Sequence, residues 1–175
     1  PVDLKKYGVL YGGAQKNIGP AGVTVVVMRK DFTEMTNDSL PTMLQYKKHA
    51  AADSCLNTAP TFPIFVSSLV FKWILNQGGL EGVQKVNESK AKHLYDFLDS
   101  SDFWTTPVAK EDRSLMNVVF RLPSEDLEKK LIADASDAGY DGLKGHRSVG
   151  GLRASIYNAM PEQSVKEFVD YLKEW

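Results

Sequence analysis

The stretch that most constrains the fold is YGGAQKNIGPAGVTVVV, residues 11–27. It places a lysine, Lys16, in a glycine-rich bend between two apolar runs. The flanking runs YGVLYGG (residues 7–13) and VTVVVMRK (residues 23–30) are β-branched or aromatic and are bounded by Gly and Pro, so both are predicted to be strands. The second run is apolar at nearly every position, which is typical of a strand buried on both faces of a helix-covered sheet.

The composition excludes several classes of protein. The 175 residues are 43 % hydrophobic and 25 % charged, with a formal net charge of −1. This balance argues against a nucleic-acid binder, because neutralising phosphates requires clustered Lys and Arg. The longest apolar runs are too short to span a membrane, and we expect no signal peptide at the start. The single cysteine, Cys55, excludes an internal disulfide and favours a reducing cytoplasm.

The rest of the chain predicts an α/β fold. Residues 31–63 show little periodicity and are predicted to be a loop. A helix is predicted over residues 65–77, where Phe65, Leu69, Trp73 and Leu75 recur at helical spacing. Further helices are predicted over residues 80–99, between the N-cap Ser124 and Gly139, which lies just past the end, and after Pro161. Residues 116–122 are predicted to be a strand, and residues 151–158 a strand end and turn. Inward-facing residues are predicted on two of the helices: Val83, Val86, Leu94, Phe97 and Leu98 on one, and Val165, Phe168, Val169 and Leu172 on the last. Alternating helices and strands after Gly79 indicate a separate α/β layer.

Lys16 has two interpretations from the residues alone. A lysine whose pKa is lowered by burial or by cationic neighbours carries a free amine that captures carbonyl groups. The surrounding glycines would let a planar ligand approach the backbone, and Gln15 offers an amide beside it. The alternative is a solvated lysine at the tip of a turn, which is the commoner situation and which the local pattern favours.

A second candidate cluster lies in LKGHRSVGGLRAS, residues 143–155. Its SVGG segment separates His146-Arg147 from Arg153, so the chain can direct two cationic groups to different points of one pocket. Arginine binds carboxylates and phosphates in a bidentate manner, and histidine adds a donor, so the pattern suits a small substrate with an anion at each end. A basic surface loop, or arginines paired with acidic residues, is an equally good interpretation.

A third candidate is the segment CLNTAPTFP, residues 55–63. Asn57 and Thr58 could donate hydrogen bonds to a phosphate, although an Asn-Thr pair in a Pro-rich loop is more often plain turn chemistry. The chain has three histidines, and their spacing does not fit metal ligands, so no metal site is predicted.

Four blocks taken together resemble the phosphoserine aminotransferase family, a class V group of pyridoxal-phosphate enzymes with aminotransferase fold type I. The blocks are YGVLYGGAQKNIGPAGVTVVVMRKDF (residues 7–32), YKKHAAADSCLNTAPTFPIF (residues 46–65), LVFKWILNQGG (residues 69–79) and LKGHRSVGGLRASIYNAMP (residues 143–161). The similarity extends from about Leu4 to the end of the chain. It implies a transaminase that converts O-phospho-L-serine and 2-oxoglutarate to 3-phosphohydroxypyruvate and L-glutamate in serine biosynthesis.

The resemblance assigns a role to each residue that binds the cofactor, pyridoxal 5′-phosphate. The lysine of the AQKN block forms the Schiff base with the cofactor in that family, and here it is Lys16. Gln15 would contact the cofactor phosphate. Asn57 and Thr58 would reach the cofactor phosphate of the neighbouring subunit, which implies a homodimer. This block reads NTAPTF here and NTPPTF in the family, so Ala59 is a departure that spares the two polar residues.

The resemblance also assigns the substrate-binding residues. His146 and Arg147 match the pair that holds the substrate phosphate, and Arg153 matches the arginine that binds the substrate α-carboxylate. The remaining alternatives are another class V pyridoxal enzyme, such as an alanine–glyoxylate aminotransferase or a cysteine desulfurase, and a non-catalytic anion-binding or association module.

One departure concerns length, because chains of that family are about twice as long as this one. We therefore expect the chain to be the C-terminal half. Residues 1–64 would end the large cofactor-binding domain and its sheet, and residues 65–175 would form the linking helices and a complete small α/β domain. The family's preceding half supplies an aromatic residue over the cofactor ring, an aspartate for the pyridine nitrogen and a phosphate loop. The chain by itself is therefore expected to be inactive.

Overall fold

The computed structural model describes residues 2–35 and 37–175, which divide into two compact units, Pro1–Asn76 and Gln77–Trp175. The elements of the first unit are β1 (Val9–Gly13), β2 (Thr24–Met28), α1 (Lys30–Glu34), α2 (Tyr46–Ala51) and α3 (Thr61–Asn76). Those of the second unit are α4 (Gly79–Leu98), β3 (Asn117–Phe120), α5 (Glu125–Asp137), β4 (Leu152–Ser155) and α6 (Glu162–Glu174). The α/β class is confirmed, and the domain boundary between residues 64 and 65 stays a prediction.

The two strands predicted around the lysine are confirmed as an antiparallel ribbon. Val9 pairs with Met28 at one end and Gly13 pairs with Thr24 at the other, so residues 14–23 form the connection. The expectation that the second strand is buried on both faces is wrong for this chain, because Val25, Val26 and Val27 are all exposed. Within the described residues the sheet contains these two strands, and apolar side chains there stay exposed since no layer covers them.

The prediction of a loop over residues 31–63 is wrong in part. The described residues of this segment include the end of α1, a 3₁₀ turn at Thr42–Leu44, helix α2 and the first turn of α3. These helical pieces are one or two turns long, so they are too short to give a readable 3.6-residue period.

Helix α3 is confirmed, but it begins at Thr61, four residues before the predicted start. Ser67 and Ile74 are its buried residues. The apolar side chains that predicted the helix, Phe65, Leu69, Trp73 and Leu75, are exposed in this chain. Helical periodicity therefore identified the element correctly, whereas the side chains that it marked lie outside the described core.

The second unit has its own hydrophobic core. Strands β3 and β4 are antiparallel, with Asn117 opposite Ser155 and Phe120 opposite Leu152, and the helices pack against one face of this pair. The core residues include Leu94, Leu98, Val118, Phe120, Leu131, Leu152, Ala154, Ile156 and Phe168. The predicted α6 face is confirmed, since Val165, Phe168, Val169 and Leu172 are all buried. On α4 the inward prediction fails for Val86, which is 42 % exposed.

Two local features fix the helices of this unit. Ser124 caps α5 as predicted, because its Oγ accepts a hydrogen bond from the Leu127 N–H at 3.3 Å. Lys90 of α4 is fully buried, and its Nζ donates to the carbonyls of Ile156, Tyr157 and Met160 at 3.2, 2.8 and 3.0 Å. These bonds tie α4 to the turn that follows β4.

No helix among the described residues is long and apolar enough to cross a membrane.

Candidate functional site

The lysine turn, residues 14–22, closes the β1–β2 ribbon. Ala14 is fully buried and continues the ladder, because its N–H donates to the Val23 carbonyl at 2.9 Å. The Lys16 N–H donates to the Ala14 carbonyl at 2.6 Å, so the chain reverses tightly at this point. The side chains of Gln15 and Lys16 are exposed. The backbone that carries Lys16 is therefore fixed, while its amine can be reached from solvent.

Helix α3 packs against the lysine turn. A Cβ placed on Gly19 would overlap Ser67 Oγ, and one placed on Gly22 would lie 3.3 Å from Pro63 Cγ. Gly22 also has φ = +107°, a conformation that L side chains rarely adopt. The sequence predicted that these two glycines let a planar ligand approach the backbone. In the structure they allow the turn to pack closely on α3.

Gly12 and Gly13 differ from the glycines of the turn. A Cβ on Gly12 would meet nothing within 4 Å, so there is open space at this end of the ribbon. At Gly13 the same position is occupied by the side-chain amide of Gln15, which folds back over the strand. Gly12, which borders this open space, precedes Gln15 and Lys16 by three and four residues in the sequence.

Asn57 and Thr58 lie in the exposed connection between α2 and α3. The Asn57 side-chain amide donates to the Thr58 carbonyl at 3.1 Å. The connection leads directly into α3, whose Pro63 packs against Gly22. The first turns of α3 thus link the Asn57-Thr58 segment to the lysine turn within one compact unit.

The second unit holds the other predicted residues. The loop of residues 145–151 is closed at its base by a hydrogen bond from the Gly145 N–H to the Gly151 carbonyl at 2.9 Å. Inside the loop, the His146 carbonyl accepts from the Val149 and Gly150 N–H groups at 2.9 and 2.8 Å. This pair of bonds forms a tight turn, and the exposed side chains of His146 and Arg147 project from it.

The His146 ring has a defined orientation. Its Nδ1 lies 2.7 Å from Ser148 Oγ and accepts a hydrogen bond from the Ser148 N–H at 3.3 Å. A ring nitrogen that accepts from a backbone N–H must carry a lone pair, so the proton of the neutral ring is on Nε2. His146 therefore presents an Nε2–H donor. His146 lines a pocket of about 250 Å³ with Lys144 and Arg147, and Glu125 and Glu128 also line this pocket.

Arg153 lies on the polar face of the β3–β4 pair. Its neighbours in β4, Leu152 and Ala154, are buried in the core, so strand alternation places Arg153 on the opposite face, across from Val119. The Arg153 N–H donates to the Leu143 carbonyl at 2.7 Å. Its Nε is buried and has no hydrogen-bond partner among the described residues. The Arg153 residue as a whole is partly exposed.

Sequence reasoning did not single out Arg121, which directly follows β3. Strand alternation places it on the same polar face as Val119. Its Nη2 donates to the Val149 carbonyl in the 145–151 loop, and it lines the same pocket as His146 and Arg147. A partial signal was available in MNVVFRL, residues 116–122, where the two polar residues, Asn117 and Arg121, are four positions apart and so fall on the same face of a strand.

The described residues contain no group of three or more His, Cys, Asp or Glu side chains placed to hold a metal ion. The first unit thus contains Gln15, Lys16, Asn57 and Thr58, and the second contains His146, Arg147 and Arg153. A lysine amine on a fixed turn can act as a nucleophile or base, and the histidine–arginine pair and the arginine six residues further along the chain supply donors for anionic groups.

The chain belongs to the class-V aminotransferase family, whose model matches residues 1–168. Within this family the chain is similar to phosphoserine aminotransferases. It is 53 % identical over 176 residues to that of Laribacter hongkongensis, covering 100 % of this chain and 49 % of that protein. The chain thus spans about half the length of the curated relatives it matches.

Solved structures give the same result. The phosphoserine aminotransferase of Bacillus circulans subsp. alkalophilus superposes with a TM-score of 0.97 at 48 % identity, covering 99 % of this chain and 48 % of that one. The pyridoxal-phosphate-bound phosphoserine aminotransferase of Trichomonas vaginalis superposes with a TM-score of 0.92 at 36 % identity, covering 98 % of this chain and 49 % of that one. The fold expected from the sequence resemblance is therefore confirmed.

Proposed function

We propose that this chain supplies the lysine and the substrate-binding cations of a phosphoserine aminotransferase. The reaction transfers the amino group of O-phospho-L-serine to 2-oxoglutarate and yields 3-phosphohydroxypyruvate and L-glutamate. The observation that carries the proposal is the arrangement of the second unit, in which the closed turn of His146 and Arg147 leads into the strand that carries Arg153. The similarity to phosphoserine aminotransferases over the full length of this chain supports it.

The first unit would hold the cofactor pyridoxal 5′-phosphate. The space beside Gly12 is open, and Lys16, four residues further along the chain, offers a primary amine. When bound, the cofactor acts as an electron sink for the carbanion that forms at the substrate Cα. Lys16 would take the proton from Cα as a general base and return it as a general acid. Gln15 would donate its amide to the cofactor phosphate.

Asn57 and Thr58 would complete the phosphate site of a neighbouring subunit. Both side chains are exposed in this chain, which allows contact with a second copy. The whole protein would then be a homodimer with shared active sites. We also place it in the cytoplasm, in serine biosynthesis. The exposed free thiol of Cys55 suits a reducing compartment.

The second unit would bind both anionic ends of the substrate. The Nε2–H of His146 and the guanidinium of Arg147 would hold the phosphate, since charge-assisted bonds to phosphate are short and strong. Arg153 would bind the α-carboxylate through two parallel N–H bonds. The two carboxylates of 2-oxoglutarate can occupy the same two positions, so one set of cations would serve both substrates in alternation.

The test uses the whole protein that contains this chain, reconstituted with pyridoxal 5′-phosphate. Borohydride reduction followed by mass spectrometry should place a phosphopyridoxyl mass on the peptide that contains Lys16. We expect Lys16→Ala to abolish this label and to lower phosphoserine transamination about 10³-fold or more. Lys30→Ala, at an exposed lysine in the same unit, is the control and should retain both. Normal turnover by Lys16→Ala would refute the proposal.

A further inference from the structure

Arg121 contacts the 145–151 loop at three consecutive residues. Its Nη2 donates to the Val149 carbonyl. A Cβ placed on Gly150 would lie 2.8 Å from Arg121 Nη2, and one placed on Gly151 would lie 3.0 Å from Arg121 Cγ. The side chain of Arg121 therefore lies flat along this edge of the loop, and the two glycines are the residues that make room for it.

Both ends of this contact are constrained. The Arg121 backbone is held by two hydrogen bonds with Thr105. The Arg121 N–H donates to the Thr105 carbonyl at 2.7 Å, and the Thr105 N–H donates to the Arg121 carbonyl at 2.9 Å. On the loop side, Gly150 and Gly151 have φ values of +73° and +69°, which favour glycine. Because Arg121 is anchored through its backbone and the loop is shaped to receive it, its guanidinium is a fixed support for Val149.

We propose that Arg121 is a positioning residue that holds His146 and Arg147 in the geometry that binds the substrate phosphate. The inference rests on the proposed function. Val149 lies in the turn that the His146 carbonyl closes, so fixing the Val149 carbonyl also limits movement of His146. A binding group needs such support because a loosely held donor loses much of its contribution to affinity.

The first test measures the loop itself and does not depend on any substrate. In the whole protein, Arg121→Met should speed hydrogen exchange at the Val149 and Gly150 amides by about tenfold or more. The amides of Val118 and Ala154, which lie in the adjacent strands, should exchange as in the wild type. Arg121→Lys keeps a donor without the planar fork and should fall between the two. Unchanged exchange at Val149 and Gly150 would overturn the positioning role.

The second test separates positioning from a general loss of structure. Single-turnover amino transfer is measured with O-phospho-L-serine and with L-serine, which lacks the phosphate. We expect Arg121→Met to raise the half-saturating concentration of O-phospho-L-serine about fivefold or more, with the maximal rate and the L-serine reaction unchanged. A merely structural role would impair both substrates equally, and that outcome would overturn the inference.

Coupling to the loop glycine gives a further check. Gly150→Ala should weaken phosphoserine binding in the wild-type background, and less so in the Arg121→Met background, because the steric conflict with Nη2 is then absent. Strictly additive effects would contradict the proposed contact. If wild-type protein showed no preference for O-phospho-L-serine over L-serine, the proposed function would fail instead, while the exchange result would still decide whether Arg121 holds the loop.

Discussion

Ser67 of α3 lies directly against Gly19 of the lysine turn, so closely that a Cβ on Gly19 would overlap Ser67 Oγ. The hydroxyl is buried and has no hydrogen-bond partner among the described residues. The contact is therefore a steric packing contact rather than a hydrogen bond, and it is possible only because Gly19 has no side chain. It makes α3 the support on which the backbone around Lys16 rests.

Substitution of Gly19 should disturb this support. We expect Gly19→Ala to lower the free energy of unfolding by about 1–3 kcal/mol, because overpacking at a close contact forces the turn away from α3. Thermal melts of the whole protein measure the effect. Ser67→Ala, which removes the Oγ and keeps a good helix former at this position, should restore part of the loss in the double variant. Gly12→Ala, where the added methyl meets open space, is the matched control for stability. An equal loss at Gly12 would contradict the packing argument.

The two arginines of the proposed substrate site should have different kinetic effects. Arg147→Ala should lower kcat/KM for O-phospho-L-serine about tenfold or more while sparing L-serine, because only the first substrate carries a phosphate. Arg153→Lys should impair both substrates, since a point charge replaces a planar fork at the shared α-carboxylate. Equal losses for both substrates in Arg147→Ala would contradict the separate roles.

The sequence predicted the features that depend on neighbouring residues better than those that depend on contacts between distant segments. Periodicity and capping residues were sufficient for α5, α6 and the strands, because Ser124 and the face from Val165 to Leu172 are local signals. The exposure of Val25–Val27 could not be predicted, since burial depends on which layers cover a strand. For the candidate site, the residues alone left Lys16 ambiguous. The resemblance of four blocks to the aminotransferase family favours a cofactor-binding lysine, and that role stays a prediction.

Arg121 shows a second limit of the sequence. The two-residue period of a strand places Arg121 on the same face as Asn117, but its contact with Val149 joins residues 28 positions apart. The same holds for Gly150 and Gly151, whose need for a small residue arises from the arginine packed on them. Such pairings depend on strand register, which the individual segments do not specify.

Lys90 should be important for the stability of the second unit. Burial lowers the pKa of its amine, and three backbone carbonyls offset the cost of burying the charge. We expect Lys90→Met to lower the free energy of unfolding by about 2–4 kcal/mol, because these carbonyls lose their donor. Denaturant titration measures this. Lys92→Met, at an exposed neighbour on the same helix, should change stability by less than about 0.5 kcal/mol. A similar loss in both variants would contradict the prediction.

The Asp99–Arg113 ion pair should make the free energy of unfolding decrease at acidic pH. Arg113 donates to both carboxylate oxygens of Asp99 at 2.8 Å, and this hydrogen bonding lowers the pKa of Asp99 to about 2. Since the folded pKa is depressed below its ordinary value of 3.8, the stabilisation is present above that value and is lost as pH falls toward 2. Solvent screening limits its size to about 1 kcal/mol.

The measurement for this pair compares wild type with Asp99→Asn in chemical denaturation at pH 6 and at successively lower pH. The stability difference between the two proteins should shrink as the pH falls from about 4 toward 2. Asp170 and Lys173 form an exposed pair on α6, away from its first turn, and Asp170→Asn serves as the control with little change at any pH. A stability difference between wild type and Asp99→Asn that stays constant with pH would show that the carboxylate charge of Asp99 does not stabilise the protein.

The central claim is tested most directly by the substrate preference of the whole protein that contains this chain, loaded with pyridoxal 5′-phosphate. The quantity is the ratio of kcat/KM for O-phospho-L-serine to that for L-serine, with 2-oxoglutarate as amino acceptor. Because the proposed site uses the Nε2–H of His146 and the guanidinium of Arg147 for the phosphate, we predict a ratio on the order of 10² or more in wild type, falling toward one in the His146→Ala/Arg147→Ala double variant. A wild-type ratio near one, or a high ratio that persists without these two side chains, would contradict the account.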